Sequence, residues 1–151
     1  MRTTLLLAAA AVLCACGESR PITANSSSGI CQQGIQPTLS SIEQNLFQVA
    51  CISCHSAALA PSSGGLDLSG DSFLALVNVP AQNIQAQQPP PGLLRVRPGD
   101  PDNSLLWQKL LIGATPSPQF CQGMPLNSPG SVCQETRDAV RNWILNGALD
   151  N

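Results

Sequence analysis

Two cysteines and a histidine stand together in the segment Cys51-Ile52-Ser53-Cys54-His55. Cysteines at this spacing lie about one helical turn apart, so both thiols can reach the two vinyl groups on one edge of a porphyrin. The residue that follows can then direct its imidazole toward the iron. The spacing therefore predicts one covalently attached haem c, with His55 as an iron ligand.

The rest of the chain offers few other ligands for an iron atom. His55 is its only histidine, and Met124 is its only methionine apart from Met1. Histidine and methionine form the axial ligand pair of electron-transfer cytochromes c. We therefore expect His55 and Met124 to be the metal ligands, and Cys51 and Cys54 to bind the haem covalently.

A C-x-x-C pair has two other common uses. A thioredoxin-like redox pair sits between a strand and a helix in a βαβ pattern, and no such pattern surrounds Cys51 and Cys54. A structural zinc site usually takes four Cys or His ligands. A site of three cysteines and His55 is arithmetically possible, but the remaining cysteines have the wrong spacing for it.

The N-terminus has the pattern of an exported protein. Residues 2–13 carry one positive charge followed by an apolar run that is too short to span a bilayer, as in a secretory signal peptide. Residues 13–16, Leu-Cys-Ala-Cys, then resemble the bacterial lipobox, and Cys16 fits the lipidated position because Ala15 is small. We predict a lipoprotein signal peptide over residues 1–15 and a lipid on Cys16. Ordinary signal cleavage without a lipid stays open as an alternative.

A small, polar segment follows the lipidation site. Residues 19–29 contain almost no large apolar side chain, so they cannot bury enough surface to offset the entropy lost on ordering. We predict a lipidated flexible tether over residues 16–37 and one domain over residues 38–151. Because Gly17 stands where an aspartate would favour the inner membrane, we expect a lipid-anchored protein of the bacterial cell envelope, at the outer membrane on its periplasmic or surface side.

Charge and composition argue against several classes of function. The formal net charge is −2 and Lys109 is the only lysine, so we expect neither nucleic-acid binding nor docking through a ring of lysines. With His55 committed to iron no Ser-His-Asp set can form, and no carboxylate pair stands out for acid–base work. We therefore expect an electron carrier rather than an enzyme, although it can serve a partner enzyme.

The signal peptide, the lipid and the haem account for four of the seven cysteines. The other three are Cys31, Cys121 and Cys133. In an oxidising compartment they can form a disulfide, but the sequence alone cannot fix which two pair. We favour Cys121 with Cys133, because that bond would close a short loop around Met124. Cys31 is then a free thiol, or it pairs in place of one of the others.

Hydrophobic periodicity predicts a small all-α domain with long loops. We expect a helix over about 41–50 that leads into the cysteine motif and a short helix that Asp71 or Ser72 caps and Pro80 ends. A further helix should start at residues 100–104 and run until Gly113, and the last helix should end near Asn146. A candidate capping box over residues 131–134 begins the last helix. The sequence shows no strand pattern of any strength and no internal repeat.

Five short motifs occur in the order that is typical of one family: C-I-S-C-H, G-G-L-D-L, R-P-G-D-P with S-L-L, G-M-P and N-W-I-L-N-G-A. Over roughly residues 40–149 the chain thereby resembles the small monohaem c-type cytochrome domains of planctomycete and myxobacterial secreted proteins. The resemblance implies a cytochrome c-like helical fold in which His55 is the proximal ligand and Met124 the distal ligand. The Gln- and Pro-rich stretch over residues 82–91 departs from the family pattern and looks like an insertion.

Two arginines, Arg95 and Arg97, are candidates to hydrogen-bond a haem propionate, since a guanidinium recognises a carboxylate bidentately. The family resemblance favours Arg97. A solvated pair of arginines on a loop is the alternative.

Together these features predict an extracytoplasmic, lipid-anchored monohaem c-type cytochrome that transfers single electrons between redox partner proteins. Two alternatives stay open. One is a haem sensor or peroxidase-like enzyme with an open distal site. The other is a haem-free, disulfide-stapled lipoprotein that acts as a binding module.

Replacing Cys16 with alanine should move the protein from the membrane fraction to the soluble fraction, because the thiol that carries the lipid is lost. Fractionation and the mass of the mature protein measure this. Cys14→Ala is the matched control and should leave the fractionation unchanged, since Cys14 leaves with the signal peptide. Membrane retention of the Cys16 variant, or a mature protein without acyl chains, would contradict the lipid anchor.

Overall fold

The computed structural model describes residues 30–82, 89–112 and 122–151, whose regular structure is helical. The helices are α1 (Leu39–Ile42), a π-helical continuation of it (Glu43–Cys51), α2 (Ser72–Leu76), α3 (Leu105–Leu111) and α4 (Gln134–Leu145). Short 3-10 turns lie at Ala60–Ser62 and Pro101–Asn103. Within these ranges strand pairing is limited to isolated bridges, which confirms the predicted mostly helical class.

Several predictions concern parts of the chain outside the described residues. They are the signal peptide over residues 1–15, the lipid site Cys16, the tether as far as residue 29 and the cysteine at position 121. None of the helices in the described ranges has the length and apolar character needed to span a bilayer.

The helix before the cysteine motif is confirmed, and its later turns are wider than expected. Its start is capped by Thr38, whose hydroxyl accepts a hydrogen bond from the Ser41 N–H at 3.3 Å. At its end the Ile52 N–H donates to the Phe47 carbonyl, five residues earlier, at 3.0 Å. That spacing is the π-helical bond, and such turns occur frequently at functional sites. Here they lead directly into the cysteine motif.

The ends of two other helices lie where the sequence predicts them. α2 begins after Asp71, whose carboxylate accepts a hydrogen bond from the Leu74 N–H at 2.9 Å. α4 gives way at Asn146 to Gly147, which has a φ of 98°. A positive φ is readily adopted by glycine and typically terminates a helix.

The predicted capping box at the start of α4 is wrong. The residue before the helix is Cys133, and it makes no side-chain capping bond. The Ser131 hydroxyl lies 3.2 Å from the Ser128 hydroxyl, and the Ser131 carbonyl accepts the Ile30 N–H at 2.8 Å. Ser131 therefore bonds to Ser128 in the preceding turn and to Ile30, and it does not cap the helix.

One hydrophobic core joins the first helix to α3 and α4. Its most deeply buried large side chains are Ile42, Leu46, Phe47, Leu76, Val96, Val132, Val140, Trp143 and Ile144. The indole N–H of Trp143 donates to the Leu149 carbonyl at 2.8 Å, so its polar atom is satisfied inside the core. Ile30 and Ile35, which the sequence places in the tether, also pack in or against this core.

Candidate haem-binding site

A cavity of about 390 Å³ lies beside the cysteine motif. Cys51, Cys54, His55 and Met124 all line it, although Met124 lies far along the chain from the other three. Much of the remaining wall is apolar and comes from several elements, with Leu46, Phe47, Leu66, Leu76, Leu106 and Leu110 among the lining residues. A cavity of this size, with apolar walls and a few polar groups, is typical of cofactor sites.

The cysteine motif continues the turns of the preceding helix. The N–H groups of Cys54 and His55 both donate to the Cys51 carbonyl, at 3.1 and 2.8 Å. The His55 carbonyl in turn accepts the Leu68 N–H at 2.9 Å, which fastens the motif to the G-G-L-D-L segment. Local hydrogen bonds therefore hold both thiols and the imidazole on one turn at the cavity wall.

The Cys51 thiol is half-buried, and its surroundings favour the protonated form. Burial raises its pKa to about 12, and the neighbouring Cys54 adds to the shift. Its sulfur lies 3.6 Å from the Leu46 carbonyl. The attacking cysteine of a thioredoxin-like pair has a lowered pKa. The environment of Cys51 therefore argues against a dithiol redox centre.

His55 is half-buried and favours its neutral form. Burial lowers its pKa, a contact with the Leu66 backbone opposes that shift, and the charges of Lys109 and Arg95 add to it. Its Nδ1 atom is buried and has no hydrogen-bond partner among the described residues. A neutral imidazole is the form that binds a metal, and a buried polar nitrogen without a partner requires an explanation. Both observations fit a site that a metal-containing group completes.

Met124 is held at the cavity by the backbone of α3. Its N–H donates to the Lys109 carbonyl at 3.0 Å, and the Lys109 ammonium donates to the Gln122 carbonyl at 3.4 Å. The residue between them, Gly123, packs so tightly that a Cβ there would lie 2.8 Å from carbon atoms of Ile112 and of Pro129. The hydrogen bond to α3 and the close packing at Gly123 therefore fix the backbone position of Met124 beside the cavity.

Arg95, rather than Arg97, lines the cavity. The Arg95 guanidinium is buried and donates to the Ala75 carbonyl at 2.7 Å and to the Gly64 carbonyl at 2.8 Å. A guanidinium carries more N–H donors than these two bonds use. Arg97 does not line the cavity, and its guanidinium donates to the Gly92 carbonyl at 2.9 Å. The structure therefore does not bring Arg97 together with the other predicted site residues.

Sequence reasoning did not place Lys109 at the site. Its side chain lines the cavity and its carbonyl holds the Met124 backbone. Lys109 is the only lysine of the chain, which singles it out in the sequence. Nothing in the sequence, however, indicates that it lies beside Met124.

A comparison of the chain with protein-family models, curated proteins and solved structures finds no match in any of the three.

Gly123→Ala should destabilise the loop that carries Met124, because the added Cβ would be overpacked against Ile112 and Pro129. We expect the free energy of unfolding to fall by about 1–3 kcal/mol, measured by denaturant titration. Gly70→Ala is the matched control, since the nearest atom to its Cβ would be an Asp67 carboxylate oxygen at 4.0 Å. Equal effects of the two substitutions would contradict the tight packing at Gly123.

Proposed function

We propose that this chain is an extracytoplasmic, lipid-anchored monohaem c-type cytochrome that passes single electrons between redox partner proteins. Its domain, over residues 38–151 in the sequence-based division, would be a small cytochrome c-like helical domain with long loops. The convergence of Cys51, Cys54, His55 and Met124 on one cavity supports this most directly. The C-x-x-C-H spacing alone brings the first three together, but nothing local in the sequence brings Met124 to the same cavity.

The residues around the cavity fit a covalently bound haem. Cys51 and Cys54 would hold it by two thioether bonds, and His55 and Met124 would ligate its iron. Arg95 would recognise a propionate, because its guanidinium already lies on the cavity wall. When bound, haem supplies reversible one-electron chemistry at the iron.

Met124 favours an electron carrier over a sensor or a peroxidase-like enzyme. A thioether that occupies the second axial position leaves no open position for a substrate, and it favours the reduced iron. Leu46, Phe47 and Leu76 give the cavity an apolar wall. A site that binds one group tightly and admits no second ligand suits electron transfer.

Contact with partner proteins would take place where the cavity meets the surface. Cys54, Leu59 and Leu126 line the cavity and are also exposed, the two leucines at 44% and 48%. Exposed apolar groups beside a site are typical of interaction surfaces. An electron could therefore enter and leave on this side of the domain.

Covalent haem attachment should require both motif thiols. The exported wild-type protein should give a pyridine haemochrome spectrum and keep its haem through acid–acetone extraction, whereas Cys51→Ser combined with Cys54→Ser should lose the haem and be largely unfolded. Cys31→Ser is the control, because Cys31 does not line the cavity, and it should keep the haem. Wild-type protein that carries no haem, or that releases it on extraction, would favour the haem-free binding lipoprotein instead.

Met124→Ala should open the iron to exogenous ligands. The oxidised wild type should show the weak far-red charge-transfer band of an iron–thioether bond, and the variant should lose it and bind carbon monoxide. We expect the reduction potential to fall by about 0.1 V or more, because the thioether favours ferrous iron. Leu126→Ala, in the same loop, should keep the band. If the wild type lacks the band and binds carbon monoxide, the haem sensor or peroxidase-like function replaces the carrier.

A further inference from the structure

The chain around residue 30 runs alongside the start of α4. Ile30 and Val132 form a parallel bridge, in which the Ile30 N–H donates to the Ser131 carbonyl at 2.8 Å and the Cys133 N–H donates to the Ile30 carbonyl at 3.3 Å. The next residues along the two segments are Cys31 and Cys133. Because side chains alternate between faces in extended chains, these two cysteines point to the same face.

This register meets the geometric requirements of a disulfide. Paired extended segments lie about 4.7–4.9 Å apart, and disulfides join residues whose Cα atoms are about 4.4–6.8 Å apart. The two thiols are close enough that each shifts the pKa of the other. Both cysteines are free thiols in this structure.

We propose that Cys31 and Cys133 form a disulfide in the exported protein, and that this bond fixes the end of the tether to the helical domain. The pairing goes beyond the proposed function and does not depend on haem. It takes the place of the Cys121–Cys133 bond expected from the sequence, because a cysteine can enter only one disulfide.

Cys133 is the thiol whose surroundings favour nucleophilic attack. Burial acts to raise its pKa, but hydrogen bonds from the Cys31 thiol, from Thr136 and from the Glu135 backbone outweigh burial and lower it. The Thr136 hydroxyl lies 3.6 Å from the Cys133 sulfur. Donating the hydrogen bond to Cys133 raises the pKa of Cys31.

The oxidant is a thiol–disulfide oxidoreductase in its disulfide form, the class of protein that oxidises thiols outside the cytoplasm. The Cys133 thiolate attacks that disulfide, which forms a mixed disulfide and releases one oxidoreductase thiolate. The Cys31 thiolate then attacks the Cys133 sulfur and expels the second. The oxidoreductase gains two electrons, and its two thiolates take up the protons that Cys31 and Cys133 have lost.

Without the disulfide, hydrogen bonds to α4 and the packing of Ile30 and Ile35 at the core hold this segment in place. Besides the bridge, the Gly34 N–H donates to the Glu135 carboxylate at 3.0 Å, and the Thr136 hydroxyl donates to the Ile30 carbonyl at 3.4 Å. Each such hydrogen bond contributes little net stability, because the same groups bond to water in the unfolded chain. A covalent bond would keep the segment in place when these bonds open, and would transmit a pull on the lipid anchor to the helical domain.

The same bond would restrain one end of the loop that carries Met124. The loop is held to α3 by the Met124 N–H, which donates to the Lys109 carbonyl. It runs on to Val132, which lines the cavity directly before Cys133. Fixing Cys133 to Cys31 therefore limits the movement of the cavity wall at Val132.

Peptide mapping of the full-length exported protein tests the pairing. Free thiols are alkylated under denaturing conditions without reductant, and the digest is analysed by mass spectrometry. We expect a Cys31 peptide joined to a Cys133 peptide, together with an alkylated Cys121. Cys121 joined to either of the other two, or Cys31 and Cys133 both alkylated, would overturn the proposal.

A stability comparison provides a second test, in a Cys121→Ser background so that no third thiol can substitute. Cys31→Ser and Cys133→Ser should each lower the midpoint of denaturant unfolding by the same amount, and the combination should lower it no further because a single bond is lost. Dithiothreitol should shift the parent to that midpoint and leave the double variant unchanged. Additive losses, or a parent that does not respond to reductant, would count against the bond.

Discussion

The apolar wall around Cys51 and His55 imposes the main physical constraint on this structure. Water in contact with such a wall is unfavourable, and the Nδ1 atom of His55 is buried there without a partner among the described residues. A bound group that covers the wall would remove the first cost. Since only 3% of the chain is aromatic, a large flat cofactor would also add apolar volume that the side chains supply sparingly. Ligand binding and folding stability are therefore linked in the proposed cytochrome.

Two separate backbone interactions bring the candidate ligands to this wall. The π-helical turns over Glu43–Cys51 end in the turn that carries Cys54 and His55, so the thiols and the imidazole share one local structure. Met124 arrives from the other direction, fixed to the Lys109 carbonyl on α3. The core beneath both elements contains Leu46, Phe47 and Leu110, so their relative positions depend on the same packing.

Local sequence signals predicted those parts of the fold that depend on neighbouring residues. The Asp71 cap, the glycine after α4 and the helix before the cysteine motif each follow from a few adjacent positions. The capping box at residues 131–134 failed because Ser131 is engaged by Ile30, about a hundred residues earlier, and no local pattern records that contact. Cys31 lies near Cys133 because of the same contact between distant segments, which no local pattern predicts.

The choice between Arg95 and Arg97 shows the same limit within the site. Residues two apart in an extended chain share a face, so alternation cannot distinguish them. Their positions are set by bridges from Val96 to Val77 and from Leu94 to Ser104, which are tertiary contacts. Met124, in contrast, could be predicted by elimination, because it is the only methionine of the chain apart from Met1.

Lys109 links the position of Met124, the proposed distal ligand, to the charge of the site. Its carbonyl fixes Met124. Burial lowers the pKa of His55, and the Lys109 ammonium and the Arg95 guanidinium lower it further. Positive charges beside an iron centre disfavour its more oxidised form, by the same electrostatics that disfavour a protonated imidazole. The thioether and the apolar wall act in the same direction, because both favour the less charged ferrous state. Haem propionates would offset part of this charge, most directly at Arg95, and would leave the thioether and the wall unaffected. In the proposed cytochrome, therefore, the potential should depend more on Met124 and the packing around it than on the two cations.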